Sequence, residues 1–330
     1  MATKIADIAK ATNLSSTAIS LILNNRTGHY ISEATRERVL KAARDMNYRP
    51  NRMAAALVTG KSNIISLWTP PVSLPFYATA VDCFAREISR QGLDLIINQF
   101  PGNGSLGWEK LYSFPSDGLI VMDGPGWLAS PLENAGKENI PLVTVGAHTL
   151  EDADSIRFDT AAGASKAVRH LLAQGCRRIA FVMLEDDFQA RGGRFRAYTD
   201  GVLKAGLEPV YIPVRSGGRA AAYEAVSSRL AAPAPPDGIF CYDDSMALGS
   251  HCAILDRGLR MPSDIALVGF DGIIDTEFIR PRLSTVEVPL EQLCTRAVEF
   301  LLRRIKSPAA VHRHLQLKPS LVIRESSRRR

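Results

Sequence analysis

A chain of 330 residues has room for two or three domains, and 46% hydrophobic with 22% charged residues is globular composition, neither disordered nor collagen-like. Its net charge of +6 is unevenly placed: residues 1–61 hold ten Lys/Arg against four acids, and residues 62–330 balance thirty against thirty. Cys83, Cys176, Cys241, Cys252 and Cys294 make no C-x-x-C pair and no zinc spacing, charged Lys4, Asp7 and Lys10 interrupt any leader, and no run nears the ~18 apolar residues of a membrane span. Free thiols in a reducing cytosol, with no membrane role, are therefore expected.

A basic extremity on a neutral body is the electrostatic footprint of a nucleic-acid-binding head, because only the head must displace counterions from phosphates. Apolar residues at helical spacing (Ile5, Ile8, Ala9) predict a first helix. Asn13 suits the turn that follows. Ser15 is placed to cap a second helix with inward Leu14, Ala18, Ile19, Ile22 and Leu23. Ser32 caps a third, whose inward face is Val39, Leu40, Ala43 and Met46 and which ends before Pro50. In a helix-turn-helix the start of the second helix meets base edges, here Ser16, Thr17, Ser20 and Leu21. Small hydroxyls and one Leu give moderate readout without a bidentate anchor. A bare three-helix bundle with a protein partner remains the alternative on these residues.

Residues 51–57 are alanine-rich and far shorter than the ~12–15 residues that an isolated helix needs in water, so their folding requires a partner. Leu57 at the end of such a segment can wedge between base steps in a minor groove, or simply dock as part of a linker.

Residues 5–11 (IADIAKA), 18–24 (AISLILN), 31–39 (ISxxTRxRV) and 47–51 (NYxPN) resemble the head of the lactose-repressor, galactose-repressor and purine-repressor family of transcriptional regulators. The resemblance implies a helix-turn-helix domain over 1–50 and a hinge helix and linker over 51–61, with Leu57 at the residue that opens the central base step. It implies operator contacts from Ser15, Ser16, Thr17, Ser20, Leu21, Asn24, Arg26, Tyr48, Asn51, Arg52, Ala55 and Leu57. Leu21 stands where the family usually has Arg, which implies an unusual operator.

Beyond residue 62, β-branched runs alternate with helical stretches, the pattern of parallel strands joined by crossover helices. Strands are expected at 64–68, 93–98, 118–122, 142–145, 179–184, 209–214, 238–242 and 266–269, four in each of two similar lobes. Helices are expected at 76–90, 161–174, 194–205, 220–230 and 245–257, stopped by Gly92, Gly175, Gly206 and Gly258. Open parallel sheets bind ligands beyond their strands' carboxyl ends, which here carry Thr69, Asp123, Ala147, Asp243 and Asp271, with Phe76 at the same edge.

Residues 243–249, 262–271 and 282–286 resemble the effector core of the same family, itself similar to periplasmic sugar-binding proteins. The resemblance implies an α/β fold: a two-lobed periplasmic-binding-protein-like (type I) core of two doubly wound parallel sheets. One lobe is expected over 62–157 with 288–314, the other over 158–287 with 315–330. It places Phe76, Phe158, Arg194, Asp243 and Asp271 at a small-molecule effector site. Arg can fork two bonds to a carboxylate or to adjacent hydroxyls and an ionised Asp only accepts, so a sugar, polyol or acid sugar is expected. Asp243 replaces the family's usual Asn, Thr160 the Asn after Asp159, and Gly217 an aromatic of some sugar responders.

The literal G-x-G-x-x-G at Gly102, Gly104 and Gly107 follows Pro101, opens no long helix and has no acid at a second strand end, so it reads as a loop. Asp186–Asp187 and Asp243–Asp244 make no convincing acid–base pair, Asp244 being placed to cap a helix, and His312 with His314 finds no third ligand. No catalytic residue, metal or cofactor is expected. The whole reads as a homodimeric, possibly larger, repressor of a carbohydrate-related operon that binds a near-palindromic duplex. A transport receptor without a DNA role and an enzyme of the two-lobed class are the rivals.

Overall fold

The computed structural model describes residues 3–23, 31–48, 60–100, 116–124, 140–147, 150, 152–215 and 218–329. They form two compact units, Met1–Ser62 and Asn63–Arg330. In the first, α1 (Ile5–Thr12), α2 (Ser16–Leu23) and α3 (Glu33–Asp45) bury Ile8, Ala9, Ile19, Ile22, Val39 and Ala43 against one another. Local chemistry sets each end. Asn13 takes the left-handed conformation (φ 53°) that closes α1, Ser15 Oγ accepts from the Ala18 N–H at 3.2 Å, and Ser32 Oγ accepts from Thr35 at 3.3 Å. The Thr3 hydroxyl donates to the Met46 carbonyl at 2.8 Å, tying the first described residue to the end of α3.

The second unit holds two six-stranded sheets. The first contains β1 (Ile64–Thr69), β2 (Asp94–Gln99), β3 (Gly118–Met122), β4 (Leu142–Gly146) and β5 (Asp154–Phe158), with α4 (Pro75–Arg90) crossing from β1 to β2. Then come α5 (Thr160–Ala173), β6 (Ile179–Leu184), α6 (Glu185–Ala190), α7 (Gly193–Lys204), β7 (Val210–Val214), α8 (Arg219–Ala231), β8 (Gly238–Cys241), α9 (Asp244–Asp256) and β9 (Ala266–Asp271). The chain ends with α10 (Asp275–Phe278), β10 (Ser284–Glu287), α11 (Leu290–Lys306), β11 (His314–Leu317) and β12 (Ser320–Val322). Strand order is β11-β5-β4-β3-β1-β2 in one sheet and β12-β10-β9-β8-β6-β7 in the other. All pairings are parallel except β10 with β12. Central strands β3, β4 and β8 are buried along their whole length, as sheets covered by helices on both faces require.

The expected helices fall within a residue of those observed, since Gly92, Gly175, Gly206 and Gly258 all adopt positive φ just past a helix end. The expected four-and-four strand count is corrected to six and six. The strands added are β5, β10, β11 and β12, short segments whose pairing partners are in part distant in sequence. The expected lobe boundary at 314/315 falls inside β11, which pairs through Leu317 with β5; the chain passes to the second sheet only between Leu317 and Ser320. Among the described residues no helix is long and apolar enough to cross a membrane.

A buried ion pair pins the returning helix to the first sheet. Arg304, near the end of α11, donates from Nε to Asp154 Oδ2 at 2.8 Å, and the Arg313 N–H reaches Oδ1 at 2.7 Å. Both side chains are almost wholly buried. Removing one partner of such a pair leaves an uncompensated charge, so Asp154→Ala should cost about 3–5 kcal/mol. Urea unfolding followed by circular dichroism measures this; an unchanged midpoint would refute it.

Candidate functional site

At the carboxyl ends of both sheets lies a cavity of about 310 Å³. From the first sheet it takes Asp123 after β3, Ala147 after β4, Phe158 at the end of β5, and Leu74, Phe76 and Tyr77 at the start of α4. From the second it takes Leu184, Tyr242, Asp243, Ser245, Asp271 and Ile273, with Arg194 from the first turn of α7. All five residues expected at an effector site, Phe76, Phe158, Arg194, Asp243 and Asp271, line this one cavity.

Arg194 is the organising cation. Its guanidinium carbon sits 4.3 Å from the centre of the Tyr242 ring and 4.1 Å from that of Phe270, and its Nη2 is 3.7 Å from Asp271 Oδ1. A delocalised, weakly hydrated cation between two aromatic faces is stabilised there by the ring quadrupoles. Three lining carboxylates surround it. Asp123 accepts from the Tyr77 hydroxyl at 3.2 Å and from the Ala147 N–H at 2.6 Å, and Asp243 caps α9 by accepting from the Met246 N–H at 2.7 Å. Burial raises Asp271 well above the usual carboxylate range, Arg194 opposing it while Asp243, Asp244 and Asp123 add to it. Burial also raises Asp243, against its backbone donors and Arg194, and lifts the Tyr77 hydroxyl, with Asp123 adding to the effect.

Backbone geometry makes this crowding possible. Gly146 has φ 114°, and a Cβ there would lie 2.1 Å from Asp123 Oδ1, so only glycine lets that carboxylate reach Ala147. Asp271 itself has φ 117°, a conformation L-residues rarely adopt, which costs of the order of 1–3 kcal/mol and turns the chain sharply at the end of β9.

Asp244 does not cap the helix, contrary to expectation; Asp243 does, one residue earlier. The Asp244 carboxyl turns the other way, is fully buried, accepts from the N–H groups of Gly272 and Ile273 at 2.7 and 2.9 Å, and pairs with the Thr285 hydroxyl at 2.6 Å. It braces the Asp271 turn from behind. Thr69, expected at the cleft by its strand end, is fully buried outside the lining. Tyr77 and Tyr242 were missed by sequence reasoning, although each directly adjoins an expected residue; Asp123 was legible as a strand end. His314 bonds Ser155 through Nδ1, and among the described residues no cluster could hold a metal.

In the head, Ser15, Ser16 and Thr17 are exposed and Ser20, Leu21 and Tyr48 half-buried, so the start of α2 presents its hydroxyls outward while Ile19 and Ile22 are covered. Asn24, Arg26, Asn51, Arg52, Ala55 and Leu57, the expected hinge, the G-x-G-x-x-G stretch and Gly217 lie outside the described residues.

Comparison with known proteins follows this division. Residues 4–51 match the model of bacterial regulatory proteins of the lacI family, and residues 168–327 that of a periplasmic binding protein-like domain. A probable HTH-type transcriptional repressor, ExuR, of Bacillus subtilis is 30% identical, the alignment covering 98% of each chain. The HTH-type transcriptional repressor PurR of Erwinia tasmaniensis is also 30% identical, over 98% of this chain and 96% of its own. A lac repressor dimer bound to operator and an anti-inducer superposes with a TM-score of 0.85 at 23% identity, over 99% of both chains.

The Asp244 site yields a pH prediction. Burial lifts its pKa to about 7, so between the ordinary value near 4 and about 7 the folded state holds a proton that the unfolded chain releases. Stability should fall as pH rises through that window, by roughly 4 kcal/mol at most. In Asp244→Asn the amide oxygen can keep the two backbone donors and the amide nitrogen can donate to Thr285. Thermal melts from pH 4 to 8 should show a flatter profile for this variant; an identical slope would refute the assignment.

Proposed function

The chain belongs to the lacI family of bacterial regulatory proteins, and on that premise we propose that it is a homodimeric repressor whose affinity for a near-palindromic operator is set by a small polyhydroxylated effector in the cleft. The observation that carries this is the meeting of both sheets' strand ends around Arg194, Asp123, Asp243 and Asp271, joined in one chain to a basic head with an outward-facing row of hydroxyls on α2. A carbohydrate-related operon is the corresponding target. The related proteins above are named as repressors, and regulation rather than catalysis is the reading adopted.

Several features support the effector class. Carboxylates accept from hydroxyls, Arg194 donates to them, and Phe76 with Phe158, ring centres 6.4 Å apart and edge to face, offers an apolar wall for a sugar's C–H face. Among the described residues Arg194 is the one cation of the lining and already faces Asp271, so of the ligands expected from sequence the acid sugar, which needs a free cationic partner, fits least. A neutral or amine-bearing polyol fits best, since Asp243 contributes an acceptor where the family's usual Asn carries both a donor and an acceptor.

On the DNA side, the contacts proposed are Ser16, Thr17, Ser20 and Leu21 to base edges and Leu57 as the minor-groove wedge, with Ser15, Asn24, Arg26, Tyr48, Asn51, Arg52 and Ala55 also against the operator. Selection from a random duplex pool by the full-length protein should yield a two-fold-symmetric site. Log affinity should fall with log salt by about 0.9 per phosphate neutralised, and a chain lacking residues 1–60 should lose this binding. Retention of binding by the truncated chain would make the head irrelevant. In thermal-shift titration against neutral, amino and acid sugars, neutral or amino members should raise the wild-type melting temperature and leave Arg194→Ala unchanged. Equal shifts in both proteins would remove Arg194 from the site.

A further inference from the structure

Away from the cleft, two cysteines meet between helices. Cys83 lies on α4 and Cys294 on α11, both buried, and the Cys294 thiol donates to the Ala80 carbonyl at 3.9 Å, one turn before Cys83 on α4, which brings the two thiols to the same contact between the helices. Arg86, one turn beyond Cys83, donates from Nη2 to the Cys83 sulfur at 3.2 Å. The pair is not sealed: Cys83 forms part of the wall of a surface cavity of about 150 Å³ shared with Arg86, Glu87, Arg90, Glu291 and Thr295. A small oxidant can therefore reach one sulfur while the second waits behind it. The other thiols lack this arrangement. Cys176 and Cys241 are buried, with burial raising both, and Cys252 is exposed.

We propose that Cys83 and Cys294 form a hydroperoxide-sensitive thiol pair whose oxidation joins α4 to α11 by a disulfide. The Cys83 thiolate attacks one peroxide oxygen, the O–O bond breaks, and hydroxide leaves, taking a proton to become water. The Cys294 thiol then displaces the oxygen of the Cys83 sulfenic acid as a second water, so two thiols and one hydrogen peroxide give one disulfide and two waters. The environment favours the first step. The neighbouring Cys294 thiol, with Arg86 assisting, outweighs burial and the opposing charges of Glu291 and Asp82, and holds the Cys83 thiol down at about 7. Its thiolate fraction at pH 7 is then roughly 15-fold that of an ordinary thiol. Cys294, by contrast, is held protonated by the neighbouring Cys83 sulfur and by burial, as suits the resolving partner.

The location gives the bond a consequence. Phe76 and Tyr77 open α4 at the effector cleft, two turns before Cys83, and α11 starts directly after the chain returns from the second sheet. A covalent staple between the two helices would fix the cleft wall to that return.

The test treats the full-length protein with graded hydrogen peroxide, blocks free thiols and maps non-reduced peptides by mass spectrometry. Expected are a reducible Cys83–Cys294 link within one chain, shown by mixing isotope-labelled and unlabelled protein, and, in Cys294→Ser, a Cys83 sulfenic acid trapped by dimedone. Both thiols remaining reduced while exposed Cys252 is oxidised, over-oxidation of Cys83 without a link, or links only between chains would each overturn the proposal. A measurement on the unmutated protein stands beside these: the pH profile of Cys83 alkylation should have its midpoint near 7, and a midpoint at the ordinary ~8.5 would overturn the activation.

Discussion

The structure turns on a cluster of carboxyl groups held out of water. At the mouth of the two sheets Asp123, Asp243 and Asp271 share a cavity with the guanidinium of Arg194, and Asp244 lies directly behind. An isolated buried carboxylate costs several kcal/mol, so each of these groups is held by donors or a cation, and burial still pushes Asp243, Asp244 and Asp271 toward the protonated form. Asp123 has a tyrosine and a backbone donor, Asp243 the first turn of a helix, and Asp271 the arginine. Removing Arg194 would therefore strand Asp271 as well as delete a ligand donor.

Parallel topology explains why these residues meet. Each acid follows a β-strand or sits at its last residue, where a right-handed crossover sends the chain away and leaves polar termini clustered at one edge. Close approach then requires missing side chains. Gly146 makes room for Asp123, and Gly269, where a Cβ would come within 2.1 Å of Asp244 Oδ1, makes room for the brace behind Asp271. The glycines belong to the electrostatics as much as the carboxylates do.

Much of this was legible in the residues and some was not. Helix ends were readable because positive-φ glycines stop them, and central strands because burial on both faces makes them continuously apolar. The segments Asp154–Phe158 and His314–Leu317 were not, since DSIRF and HLQL carry charge and polar groups whose reason is tertiary: Asp154 awaits Arg304, and His314 bonds Ser155. In the site, Asp243 and Asp271 are legible as strand ends and Arg194 from the family resemblance, but the Tyr242 and Phe270 faces around Arg194 arise from tertiary packing, and the reversed roles of Asp243 and Asp244 depend on a single-residue offset at the start of α9 that no periodicity reports. The five cysteines read as unrelated because Cys83 and Cys294 are separated by 211 positions and meet only through helix packing.

A ligand shifts a conformational equilibrium only by its difference in affinity between the two states. Here the cavity lining comes from two sheets joined by short passages, with Asp123 and Phe158 on one and Arg194, Asp243 and Asp271 on the other. Any change of angle between the sheets breaks one set of contacts while keeping the other, so a ligand's hydrogen bonds necessarily differ between the two arrangements. One or two charge-assisted bonds gained in one of them supply the ~1–3 kcal/mol that corresponds to a 5- to 150-fold change at a distant site. On the proposed reading, the sign of regulation depends on which sheet arrangement the ligand completes, and the same residues can serve an inducer or a corepressor.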